Sequence, residues 1–110
     1  MLTLPIKEPW YSMILSGEKK EEYREIKDYY RVRFANQFKS IENKKLLNEW
    51  LVTPIRYILN VRFKNGYLST SPSFVAKCQL TIGTGKEEWG AEKDKSYYVL
   101  KIIEIKDSEE

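Results

Sequence analysis

The second half of the chain alternates between apolar and polar positions. From Ile55 to Phe63 the odd positions Ile55, Tyr57, Leu59, Val61 and Phe63 are apolar, Arg56, Asn60 and Arg62 are polar, and only Ile58 breaks the pattern. A period of two puts the odd side chains on one face of a half-buried strand. Asn65-Gly66 follows, a strong turn signal. From Ser73 to Ile82 the even positions Phe74, Ala76, Cys78, Leu80 and Ile82 are apolar, which predicts another strand. Tyr97 to Ile105 is apolar on both faces at its centre and reads as an interior strand.

The first half mixes periods. Leu2, Leu4 and Ile6 alternate with Thr3, Pro5 and Lys7, predicting a short strand over 2–6. Pro9 suits a first helical turn, Trp10, Met13 and Ile14 recur at helical spacing, and Gly17 is placed to end the helix. The charged stretch 19–26 reads as a strand. Asp28 is placed to cap a second helix whose stripe is Tyr30, Phe34 and Phe38. Leu46, Leu47, Trp50 and Leu51 predict a third short helix, stopped by Pro54. Strands near 2–6, 19–26, 55–63, 73–82 and 97–105, with two to three short helices, make this an α+β chain. Five or six strands in so few residues favour a curled sheet or small barrel. No repeat, low-complexity tract or linker divides residues 1–110, so a single domain is expected.

Absences narrow the chemistry. The 110 residues contain no His, which removes the usual general base and the commonest zinc ligand. One Cys allows neither an intrachain disulfide nor a cysteine-rich metal site. No metal and no cofactor are expected. No apolar run approaches a membrane span, and the first residues lack the pattern of a secretory signal, so a cytoplasmic setting is expected. Net charge is +3, but unevenly spread: residues 1–64 carry 13 basic and 8 acidic side chains, residues 65–110 carry 6 and 8. The basic excess gathers around Lys19, Lys20, Arg24, Lys27, Arg31 and Arg33. It is compatible with a polyanionic partner and equally with a solvated, salt-bridged face.

The informative segment is Gly17-Glu18-Lys19-Lys20-Glu21-Glu22-Tyr23-Arg24, of the form G-x-K-x-x-E-x-R, directly after a strand and a short amphipathic helix. Glu22 and Arg24, two apart on a strand, share a face and are close enough to pair. A carboxylate beside a guanidinium orients it and leaves N–H donors for a phosphate or base edge. Lys19 has the opposite parity, so it joins them only if it precedes the strand proper or a bulge intervenes. The same three charges also suit a salt bridge that merely fixes a barrel rim. Tyr23 falls on the other face, a core position. Cys78 lies in the apolar register of its strand and reads as a small buried hydrophobe.

This motif, the opening LPIKEPWYSMILSGEKKEEYR and the closing IGTGKEEWGAEKDKSYYVLKI resemble the ASCH family of PUA-like β-barrels, in particular its small bacterial and phage-associated type. The resemblance implies a PUA-like barrel, a nucleic-acid-related role usually taken to be RNA binding, and a cleft built on Lys19, Glu22 and Arg24, with Gly17 as its structural glycine. Trp89, in the glycine-punctuated loop, can stack on a base over that cleft or pack its own loop; Lys86 can touch phosphate. Gly83-Thr84-Gly85-Lys86 is not a phosphate-binding P-loop.

An enzymatic alternative comes with the same resemblance. Some relatives hydrolyse N4-acylated cytosine nucleosides with the motif Lys, a Thr three residues on and a distant Glu. Lys19 matches the Lys, but Glu22 stands where that Thr would be. Catalysis would then run on Lys19 as base or nucleophile, with Glu22 and Arg24, on a nucleoside or nucleotide ligand. A ribonuclease would likewise have to work without His. A purely architectural or partner-binding domain is the third reading.

Overall fold

The computed structural model describes residues 1–37 and 57–106. The alternation of the second half becomes an antiparallel meander of β3 (Tyr57–Lys64), β4 (Ser73–Thr84) and β5 (Ser96–Lys106). The odd residues of β3 and the even residues of β4 point inward: Tyr57, Leu59, Val61, Phe63, Phe74, Ala76, Cys78 and Leu80 are all buried, while Ile58 faces out. A register shift between Lys77 and Cys78 of β4 interrupts its pairing with β5. Burial pushes the Cys78 thiol up to about 12, so it behaves as the expected hydrophobe.

Two strands from the first 25 residues complete the sheet, one at each edge. β1 (Leu2–Pro5) pairs parallel with β3, and β2 (Glu21–Glu25) pairs antiparallel with β5, giving the order β1-β3-β4-β5-β2. The mixed sheet curls into a half-barrel. All five strands fall where the sequence reading put them, with ends moved by one or two residues; Ile55 and Arg56 of the expected third strand lie outside the described residues.

Two helices pack on the inner face. α1 (Trp10–Ser16) links β1 to β2 and buries Ile14 and Tyr11, whose ring lies 5.1 Å from that of Phe74. It ends at Gly17 with φ +89, a left-handed conformation that disfavours any residue with a Cβ. α2 (Asp28–Ala35) follows β2 and buries Phe34 edge-on against Tyr98 at 5.1 Å. Asp28 does not cap α2, as its sequence position led us to expect. The extended Lys27 holds the cap position, and the Asp28 carboxylate pairs instead with Arg31 at 3.1 Å, one turn on. A negative charge in the first turn still suits the helix dipole. Phe38, the third member of the stripe, and the helix expected around Leu46 to Leu51 lie outside the described residues.

A second, smaller cluster on the other face of the sheet joins Tyr23 to Ala91, Tyr97 and Val99. The Tyr23 hydroxyl donates to Glu21 at 2.8 Å and accepts from the Lys86 amide at 2.9 Å, which ties β2 to the β4–β5 connection. Gly85 lies under this ring, and a Cβ there would stand 2.5 Å from it. Gly85→Ala is therefore expected to lower stability by roughly 1–3 kcal/mol through overpacking. Gly83→Ala, with open space around it, should stay within about 0.5 kcal/mol. Urea unfolding of the two variants checks the contrast, and equal midpoints would count against this packing.

Candidate functional site

The chain between α1 and β2 decides where Lys19 points. After Gly17 the backbone turns so that the Lys19 amide donates to the Met13 carbonyl at 2.9 Å, and β2 proper begins only at Glu21. Lys19 thus escapes strand parity by preceding the strand, and its side chain swings to the same side as those of Glu22 and Arg24. Its ammonium lies 3.2 Å from Glu22 Oε1 and donates to the backbone carbonyl of Trp89. The rings of Trp10 and Tyr23 flank it at 5.0 and 4.8 Å. Lys19 is only 1% exposed.

The other oxygen of Glu22, Oε2, accepts from Arg24 Nη2 at 2.8 Å. The same Nη2 donates to the Pro5 carbonyl at 2.7 Å. Pro5 ends β1 and Arg24 lies in β2, so the guanidinium bridges the two edges of the half-barrel. Arg24 Nη1 makes a longer contact with the Tyr30 hydroxyl at 3.4 Å, and the guanidinium carbon is 5.7 Å from the Tyr30 ring centroid. Among the described residues no buried side-chain nitrogen or oxygen lacks a partner. Arg24 Nε, which makes none of these contacts, is therefore not sealed inside.

The guanidinium meets a cleft of about 480 Å³, lined by Pro5, Lys7, Trp10, Glu22, Arg24 and Tyr30 together with Asn65, Gly66 and Tyr67 of the β3–β4 connection. That volume lies within the range of small-molecule sites. Of the residues singled out in the sequence, Glu22, Tyr23 and Arg24 line the cleft. Lys19 is joined to them through Glu22 but stands behind the lining. Trp89 and Lys86 are not in the lining either. Trp89 lies in the 3₁₀ turn Glu87–Trp89, where its carbonyl holds Lys19 and its ring lies 4.5 Å from the Lys86 ammonium.

Sequence reasoning missed Trp10, Lys7, Tyr30 and Tyr67 as cleft residues. Trp10 reads as one more member of a helical stripe. Its signal is the neighbouring Pro9, which places it at the very start of α1 where strand and helix meet. Gly90, at φ +100, lets the backbone approach Trp10: a Cβ there would stand 3.2 Å from the indole. Tyr67 carries a clearer signal, a large aromatic just after a turn and 88% exposed.

Among the described residues no group of three or more His, Cys, Asp and Glu side chains is placed to hold a metal ion, and no helix is long and apolar enough to cross a membrane. Comparison with known proteins gives no matching family model, no matching curated protein and no matching solved structure.

Burial holds the Lys19 ammonium below the ordinary lysine value; Glu22 pulls the other way and Arg24 adds to the lowering. A lysine lowered in the folded state costs stability while charged, and that cost fades as pH rises from its folded value to the unfolded one near ~10.4. Stability should therefore rise across that alkaline interval. Tyr11, Tyr23, Tyr57 and Tyr98 are all raised, chiefly by burial, so above about 10 the unfolded tyrosines ionise first and stability falls. Lys19→Met should remove the rising limb and keep the falling one. Urea midpoints of both proteins between about pH 8 and 11 test this window around the two ordinary values; parallel curves would refute it.

Proposed function

We propose that this chain is an ASCH-type module with a PUA-like barrel that binds single-stranded RNA, taking a nucleotide into the cleft above Arg24. The observation that carries the reading is the fixed guanidinium. Glu22 and the Pro5 carbonyl hold Nη2 of Arg24, Nη1 makes only the long contact with Tyr30, and Nε is left for a phosphate or a base edge. Trp10, Tyr30 and Tyr67 add aromatic surface around it, and Lys7 adds positive charge. Basic groups interleaved with aromatic rings are what a sequence-tolerant single-strand site requires. The resemblance at both ends of the chain supports the same reading.

Amide hydrolysis is the weaker alternative for this geometry. It needs the Lys19 nitrogen at the substrate, whereas that nitrogen is buried, engaged by Trp89 and Glu22, and behind the cleft lining. Incubation with N4-acetylcytidine, followed by chromatography, is expected to leave the nucleoside intact. Deacylation that Lys19→Met abolishes would promote the enzyme.

Binding is tested with exposed cleft residues, whose replacement leaves the core alone. Fluorescence anisotropy with short RNA at several salt concentrations should show affinity falling as salt rises. Lys7→Ala should weaken binding and reduce the slope by ~0.7, the contribution of one neutralised phosphate on a single strand. Tyr67→Ala should weaken binding by about 1–3 kcal/mol and leave the slope alone, because it removes a π-face and no charge. A wild type that fails to bind, or binding insensitive to both changes, would reject the reading.

A further inference from the structure

Beside the cleft, the first turns of α2 carry a second aromatic and basic surface that none of the contacts above uses. Tyr30 lines the cleft, and its neighbour Tyr29 lies outside it, 54% exposed. The two ring centroids are 5.0 Å apart and the planes stand at 88°. Arg33 places its guanidinium carbon 3.5 Å from the Tyr29 centroid and donates from Nη1 to the Tyr29 carbonyl at 3.1 Å, so the pair is braced. The Lys27 ammonium stands by both rings, 5.5 Å from Tyr30 and 6.0 Å from Tyr29. Asp28 is engaged by Arg31. Positive charge on this ledge comes from Lys27 and Arg33.

We infer that Tyr29, Lys27 and Arg33 form a second nucleotide subsite continuous with the cleft, so that the ligand is a strand of at least two nucleotides and not a free nucleoside. This rests on the reading of the cleft as an RNA site. One base occupies the cleft beside Tyr30, and the next stacks on the Tyr29–Arg33 layer, since bases stack on aromatic rings and on guanidinium planes alike. Lys27, between the rings, faces the phosphate that joins the two nucleotides. The perpendicular rings require the two bases to be splayed apart. A continuous base-paired stack cannot follow them, so the ledge selects single strands.

Fluorescein-labelled homopolymeric octanucleotides of A, C and U give the direct titration, with unlabelled mononucleotides and an RNA duplex as competitors. The octanucleotides should bind more tightly than the mononucleotides and the duplex. Tyr29→Ala should weaken octanucleotide binding about 5- to 150-fold and leave mononucleotide competition unchanged; Tyr29→Phe should restore it. Lys27→Ala should reduce the octanucleotide salt slope by ~0.7. Where mononucleotides do not compete measurably, the Tyr29 and Lys27 effects on the octanucleotide decide. Octanucleotide binding that ignores both changes, or equal affinity for the two lengths, overturns the second subsite and leaves the cleft standing alone. Absence of binding by any RNA overturns both.

Discussion

Glu22 is the one acid between the buried Lys19 and the half-buried Arg24, and the shape of the molecule depends on it. Its two oxygens are divided between Lys19 and Arg24. Lys19 reaches on to the Trp89 carbonyl and Arg24 to the Pro5 carbonyl. The carboxylate therefore links the β4–β5 connection, the start of β2 and the end of β1 through four polar contacts. Three charges in this position are costly to desolvate, and such a group contributes more to fixing one arrangement than to net stability. What it fixes here is the seam of an incomplete barrel, where two edge strands face each other without sharing a ladder.

In the proposed RNA reading, sealing and recognition fall to the same guanidinium. Nη2 is committed to the seam, so Arg24 cannot offer a full bidentate fork without releasing Glu22 or Pro5. It can act as an oriented donor with its remaining N–H groups. That favours contacts tolerant of base identity over strict reading of one base, since base-specific recognition by arginine relies on the paired fork. The aromatic surroundings have the same tolerance, because every base presents a π-face.

Much of the fold was legible because local pattern and burial agree. The odd register of β3 and the even register of β4 became the inner face, and the one exception, Ile58, became an exposed side chain. The end of α1 was legible in Gly17, where backbone geometry alone decides. The pairing of Glu22 with Arg24 followed from strand parity. The position of Lys19 did not, because parity applies only inside a strand and the start of β2 cannot be fixed to one residue by composition. The aromatic lining was hidden for another reason. Trp10, Tyr30 and Tyr67 come from three separate connections, and only the closing of the sheet brings them together. Trp89 illustrates the limit: its ring drew notice in the sequence, while its backbone oxygen holds the lysine, and any residue type supplies that.

The strand order also carries a consequence for how the chain is made. β3, β4 and β5 pair with their neighbours in sequence and form a local meander, whereas β1 pairs with β3 and β2 pairs with β5. A ribosome therefore releases the first 25 residues long before either partner exists, and their edge groups wait in water. Pairings this distant raise contact order and slow the search. β2 itself carries Glu21, Glu22, Arg24 and Glu25, and an early strand this charged offers little to aggregation while it is unpaired. The same charged residues that form the seam in the folded molecule thus keep this early edge polar before its partner is made.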